Sequence, residues 1–170
     1  TGLTYQWYRN TINSNSGGTL LSGATSTTYT PVTTAAGTLY YYVIVNGTCT
    51  PAVSSSVSGA VTINTAPAIT TQPNPSQTVC SGFPISFSAS ATGTGLTYQW
   101  KRGGISISAA TSNTYSISNV STADAGNYTV VVSGILPCAS VTSNDAVLNV
   151  NQDIDITNHP SAQVKCEGAN

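Results

Sequence analysis

Residues 94–100 read Thr-Gly-Leu-Thr-Tyr-Gln-Trp, and residues 1–7 read the same seven letters. Each copy ends on one of the chain's two tryptophans. An identical heptapeptide built around so rare a residue marks a repeat array. Nothing precedes the first copy, so the sequence is expected to begin inside a repeat. Strand periodicity puts Leu96, Tyr98 and Trp100 on one face, with Thr97 and Gln99 on the other. A large buried aromatic on a short strand is the usual centre of a two-sheet core. Trp7 and Trp100 are therefore expected to anchor two equivalent cores.

The composition outside the heptapeptides agrees with a β-rich chain. Only 5% of the residues are charged, whereas Ser and Thr make up about 50 of the 170. Disordered chains usually combine low hydrophobicity with high net charge. Here 39% of residues are hydrophobic, nine are Tyr and the net charge is −1. Thr, Val, Ile and Tyr suit pleated, half-buried surfaces, so outward positions carry hydroxyls in place of ions. The fold class read from this is all-β, built as tandem sandwich repeats. The near-neutral charge leaves no basic field for nucleic acid or an anionic membrane. No apolar run reaches the ~18 residues a spanning helix needs, so no membrane insertion is expected in this segment. The lack of Met and of a leader reads as an interior piece of a longer polypeptide. Four Cys in a Ser/Thr-rich β chain point to an oxidising, extracellular setting.

Residues 1–66 read as the back part of a repeat. The Trp7 strand leads through a polar connection, Asn10 to Gly18, to a Thr-rich strand expected around Tyr29. Tyr40 to Val45 is the strongest strand signal, Asn46-Gly47 a turn, and Val57 to Ile63 a closing strand. Residues 67–150 read as one complete repeat. Its opening strand is interrupted by Pro73 and Pro75, as suits an edge. Alternation follows over Ile85 to Ala91, then the Trp100 strand, Ile105 and Ile107, Tyr115 to Ile117, Thr129 to Val132 and Val141 to Val150. Residues 151–170 restart the pattern as the front of a further repeat: Ile156 to Pro160 echoes Ile69 to Pro73, and Cys166-Glu167-Gly168 echoes Cys80-Ser81-Gly82. Trp7 to Trp100 spans 93 positions, Tyr29 to Tyr115 86, Cys49 to Cys138 89 and Cys80 to Cys166 86. The length difference falls in the connection after the Trp strand, where a sandwich tolerates insertion.

Trp100 followed by Asp124-x-Gly126-x-Tyr128 resembles the immunoglobulin fold, which carries a Trp on strand C and a tyrosine corner opening strand F. The resemblance covers 67–150 and makes Tyr128 a third core anchor. It departs in one respect: the intersheet disulfide of antibody domains would join positions near Ala89 and Val130, and neither is Cys. The first copy has Ala35 where Asp124 aligns, so its corner is degenerate. More finely, Thr78-Val79-Cys80-Ser81-Gly82 and the run Tyr40 to Cys49 resemble the immunoglobulin-like repeats of large secreted Bacteroidetes cell-surface adhesins. That resemblance implies adhesins of the kind linked to gliding motility and type IX secretion.

In such a sandwich the start of strand B, holding Cys80 and Cys166, and the F–G turn, holding Cys49 and Cys138, lie at opposite poles. A strand of about eight residues separates them by roughly 25 Å, whereas a disulfide tolerates only ~4.4–6.8 Å between Cα atoms. Bonds between successive repeats are therefore expected, with an intra-repeat Cys80–Cys138 bond as the alternative.

The sequence offers little chemistry. His159 is the only histidine, which leaves no His-based triad or zinc site. Asp153 and Asp155 share a strand face and could suit calcium, though the matching joint at Asn64 to Ile69 has no acid; a solvated pair is the expectation, and no metal or other cofactor is assigned. Asp124 and Asp145 have no carboxylate neighbours to form an acid/base pair. No catalytic residue is assigned and the segment is not expected to be an enzyme. Arg9, Lys101 and Arg102 are expected to solubilise a sheet edge. Asn46, Asn119 and Asn127 lie in Asn-x-Ser/Thr sequons. Of Tyr40, Tyr41 and Tyr42, which must alternate faces, at least one is expected to be exposed as a possible aromatic contact for sugar. Two functions follow: a structural and adhesive segment of a long surface fibre, or a carbohydrate-binding or spacer module of a secreted enzyme. The expected partners are neighbouring repeats of the same polypeptide, with surface polysaccharide or other fibre subunits beyond them.

Overall fold

The computed structural model describes residues 2–48, 51–152, 154 and 161. They form two compact units. The first takes the chain up to Ala68 together with Ala91–Thr97 and Val132–Val141; the second takes Ile69–Ser90, Tyr98–Val131 and the described residues from Thr142 onward. Backbone bonding explains why a later segment joins the first unit: Thr94 N–H donates to Thr65 O, and Thr65 N–H to Thr94 Oγ1, each at 3.0 Å.

In the first unit, β1 (Thr4–Asn10), β2 (Thr19–Leu20), β3 (Gly37–Asn46), β4 (Val53–Ser54) and β5 (Val61–Ile63) make one sheet. Its order is β2-β1-β3-β4, with β5 also paired to β3. Trp7 lies opposite Val43, Tyr8 opposite Tyr42 and Arg9 opposite Tyr41. Trp7 and Tyr41 thus share one face, and Tyr8 and Tyr42 the other. On the first face Tyr29 sits between them, 5.9 Å from the Trp7 ring and 5.6 Å from that of Tyr41.

The second unit contains β6 (Ala68–Thr71), β7 (Ser76–Cys80), β8 (Ile85–Ser88), β9 (Ser90–Thr92), β10 (Thr97–Arg102), β11 (Ile105–Ser106), β12 (Thr114–Ile117), β13 (Gly126–Ser133), β14 (Val141–Thr142) and β15 (Ala146–Asn151), some of whose end residues belong to the first. One sheet runs β11-β10-β13-β15-β7, with β14 on β13; β12 pairs β8, and β6 pairs β9. The proline interruption in the opening strand has a topological result. Before Pro73 the chain pairs with β9 as β6, and after Pro75 it pairs in parallel with β15 as β7, so the opening segment enters two different sheets. Proline, lacking an N–H, is tolerated at such a break.

Trp100 is fully buried at the centre. Phe87 stacks on Tyr128 at 4.5 Å and tilts against Trp100 at 6.0 Å, with Tyr115 6.4 Å from Trp100. Ala89 and Val130, where an antibody domain would carry its cystine, are both buried. Apolar packing fills the position of that bond.

Two expectations need correction. The strand predicted around Tyr29 does not form; residues 21–36 are irregular. Its counterpart β12 forms its ladder on β8, from Thr114 opposite Ser88 to Ile117 opposite Ile85; the Trp7-to-Trp100 offset puts an equivalent of β8 ahead of residue 1, outside this sequence. For the same reason Trp7 is only half-buried, where Trp100 is enclosed. The closing strand predicted over Val57 to Ile63 forms only over its last three residues, β5, with Ser58 Oγ accepting from Tyr41 N–H ahead of it.

Candidate functional site

The heptapeptide performs the same task twice. Trp100 Nε1–H donates to Ser112 O and Trp7 Nε1–H to Ser26 O, both at 2.9 Å. Gln99 Nε2 donates to Ile107 O at 2.8 Å and Trp100 O at 2.9 Å; Gln6 Nε2 donates to Leu21 O at 2.7 Å and Trp7 O at 3.1 Å. Each glutamine therefore holds its strand to the segment that follows. The sequence reading placed Gln99 on the opposite face from the Trp and gave it no task. The identity of all seven residues in the two copies singled out neither Gln, so the sequence held no separate signal for it.

The tyrosine corner is present in the second unit. Tyr128 Oη–H donates to Asp124 O at 2.7 Å. Asp124 Oδ2 accepts from Ser121 N–H at 2.9 Å and from Ser121 Oγ–H at 2.7 Å, closing a single 3-10 turn over Thr122–Asp124. Gly126 has φ +141° and its counterpart Gly37 has φ +145°, so the first copy keeps the glycine-only reversal although Ala35 replaces the acid. Arg102 is not merely an edge charge. Its guanidinium donates to Ala123 O at 2.9 Å and meets Asp124 Oδ1 at 3.4 Å, an exposed and therefore weak ion pair. Burial pushes the Tyr128 phenol up from its ordinary pKa.

The two Ser121 donors, backbone first and hydroxyl second, hold the Asp124 carboxyl below its usual range; partial burial opposes them, and the Arg102 charge contributes least. A depressed folded-state pKa gives stability that is present above the unfolded value of about 3.9 and lost as pH falls through the folded value. Asp124→Asn should thus be less stable than the parent at neutral pH, and the gap should close below about pH 4. Urea midpoints of both proteins across pH 2–7 test this; a gap independent of pH would place the effect elsewhere.

The tyrosine triplet is arranged otherwise than the exposure argument predicts. Tyr41 is 5% exposed and Tyr42 3%; Tyr40 alone is half-exposed. Tyr41 faces the Trp7 side, where burial pushes its phenol up. Tyr42 faces the other way, yet is covered by the longer connection after the Trp strand. Tyr8 stacks on it at 5.1 Å and 8°, Gly18 N–H donates to its Oη at 3.1 Å, and Asn15 Nδ2 donates to Ser55 O at 2.9 Å to hold the loop down. In the second unit the same connection is the two-residue turn Gly103-Gly104, both with positive φ. The extra residues of the first copy fold back as a cover for the outer face.

Cys80 ends β7 opposite Asn151, and Cys138 falls in the turn after β13; each carries a free thiol, so no bond joins them. Because β15 runs antiparallel to β13, with Gly126 opposite Leu148, those positions lie at opposite ends of one sheet. Within the first unit, Cys138 Sγ approaches Asn64 O at 3.9 Å, and Thr33, Val61 to Asn64, Pro137 and Cys138 line a shallow hollow there. Cys49, Cys166, His159, Asp153 and Asp155 lie outside the described residues. Among the described residues no cluster of three His, Cys, Asp or Glu side chains could hold a metal ion, and no helix is long and apolar enough to cross a membrane.

Residues 66–134 match the Immunoglobulin domain family model. The chain carries an immunoglobulin-like domain. No curated protein matches the sequence. Solved structures share the fold: an I-band fragment of titin, with TM-score 0.64 at 13% identity, 88% of this chain covered and 56% of that one. Extracellular domains 3–5 of Drosophila OTK give 0.61 at 16%, covering 88% and 52%. The N-terminal four Ig domains of Dscam1 give 0.54 at 20%, covering 88% and 38%. The chain spans about half the length of the titin and OTK chains. At these identities the likeness is one of fold: tandem immunoglobulin-like β-sandwich units.

Proposed function

We propose that this chain is a structural and adhesive segment of an extracellular fibre, made of immunoglobulin-like repeats set head to tail and doing no chemistry of its own. The observation that carries this reading is the repeated heptapeptide, which makes the same Trp and Gln hydrogen bonds in both units. A strand-anchoring device occurs twice while the loops around it differ. The low-charge, hydroxyl-rich surface suits a secreted chain, and the surface adhesins of Bacteroidetes that the sequence resembles are built in this way. The alternative of a carbohydrate-binding module is weakened by the burial of Tyr41 and Tyr42, since sugar stacking needs an open aromatic face.

Antibodies raised against residues 67–150 should label unpermeabilised cells of the source organism along extended filaments. Labelling only after permeabilisation, or a compact secreted enzyme as the sole species recovered, would overturn the fibre reading.

A further inference from the structure

We propose that a disulfide staples each joint of the array, linking the F–G cysteine of one repeat (Cys138 here) to the pre-B cysteine of the repeat before it, the position that Cys80 holds in its own. This rests on the tandem-array part of the proposed function and not on its adhesive part. Two observations carry it independently. In the sequence each of the two cysteine positions recurs, as Cys49 and Cys138 and as Cys80 and Cys166, so every joint would receive one of each. In the first unit the Cys138 thiol already lies against the carbonyl of Asn64.

The register shows where a pre-B cysteine would fall. Gly37 opposite Ile63 is equivalent to Gly126 opposite Leu148, so Asn64 matches Asn149 and Ala66 matches Asn151. In the second unit the strand beside them places Thr78 opposite Asn149 and Cys80 opposite Asn151. The same strand laid beside β5 sets its cysteine opposite Ala66. That is one strand spacing of about 4.8 Å across, and two residues along from the carbonyl that Cys138 touches. Across and along together that is roughly 8 Å from Asn64, so the F–G turn must close along the strand to bring the two Cα atoms within the ~4.4–6.8 Å of a disulfide. An intra-repeat Cys80–Cys138 bond would have to bridge the length of β13. Forming the staple removes two protons and two electrons from the thiols. A small-molecule disulfide such as oxidised glutathione accepts them, its own S–S bond breaking to two thiols.

The shared heptapeptide makes the test direct. Residues 67–93 copied in front of Thr1 of the full chain run in frame into residues 1–7 and supply a pre-B cysteine. After equilibration with oxidised and reduced glutathione, unreduced peptide mapping should find the copied cysteine bonded to Cys138, with Cys138 lost to alkylation. In the parent chain under the same buffer Cys138 should stay alkylatable. The same graft with its copied cysteine changed to Ser should leave Cys138 alkylatable. Cys138 left reactive in the cysteine-bearing graft, or bonded to Cys80, overturns the proposal. Surface labelling of cells is a separate readout, so loss of the staple and loss of the fibre reading are distinguishable.

Discussion

Trp100→Ala should cost the second unit about 3–5 kcal/mol, the range for emptying a fully buried aromatic site. Trp7→Ala should cost the first about 1–2 kcal/mol, because its ring is already partly open to water. Trp100 is enclosed and its neighbours Phe87 and Tyr115 are themselves large and ring-shaped, so they cannot collapse into the space it leaves. The indole N–H also leaves Ser112 O without its donor. Against a typical domain stability of about 5–15 kcal/mol, the Trp100 variant should be partly unfolded at room temperature or show a large fall in its urea midpoint. Far-UV circular dichroism in urea reads both variants, with the remaining tryptophan reporting on the unsubstituted unit. Equal losses at the two positions would mean that the first core is as well covered as the second.

The heptapeptide made strand C legible, because a repeated Trp on an alternating strand has few other places to go. The tyrosine corner was legible for a similar reason: Asp124, Gly126 and Tyr128 are a local motif whose partners lie within a few residues. What the sequence hid depends on the presence or absence of a distant partner. The Tyr29 segment has the residues of a strand, yet a strand needs a ladder, and that ladder is β8 in the second unit. Alternation correctly put Tyr41 and Tyr42 on opposite faces but could not show that the Asn10 to Gly18 connection would return to cover the outer one. For the cysteines, topology separated Cys80 from Cys138 before any coordinates, while the approach of Cys138 to Asn64 depends on a contact across more than seventy residues of chain and had no local signature.

A second large effect is expected from one hydroxyl. Between β14 and β15 the chain leaves regular pairing, and Ser143 fills the gap: Val130 N–H donates to Ser143 Oγ at 3.0 Å, Ser143 Oγ–H donates to Asn144 O at 2.9 Å, and Ser143 N–H donates to Val130 O at 2.9 Å. The first unit repeats the device. Tyr41 N–H donates to Ser58 Oγ at 2.9 Å and Ser58 Oγ–H to Gly59 O at 2.7 Å, with Ser55 serving Val43 in the same way. These serines lie where regular pairing lapses, between β14 and β15 in one copy and between β4 and β5 in the other. Val130 is fully buried and Ser143 nearly so, so Ser143→Ala strands a backbone donor where water cannot reach it, at a cost of about 1–3 kcal/mol. Ser58 is half-exposed, and water can replace its hydroxyl, so Ser58→Ala should cost about 0.5–1 kcal/mol. Urea denaturation gives both losses, and hydrogen exchange at the Val130 amide locates the first. An Ala variant at Ser143 that kept both its midpoint and the protection of that amide would show that the Val130 N–H had found another acceptor.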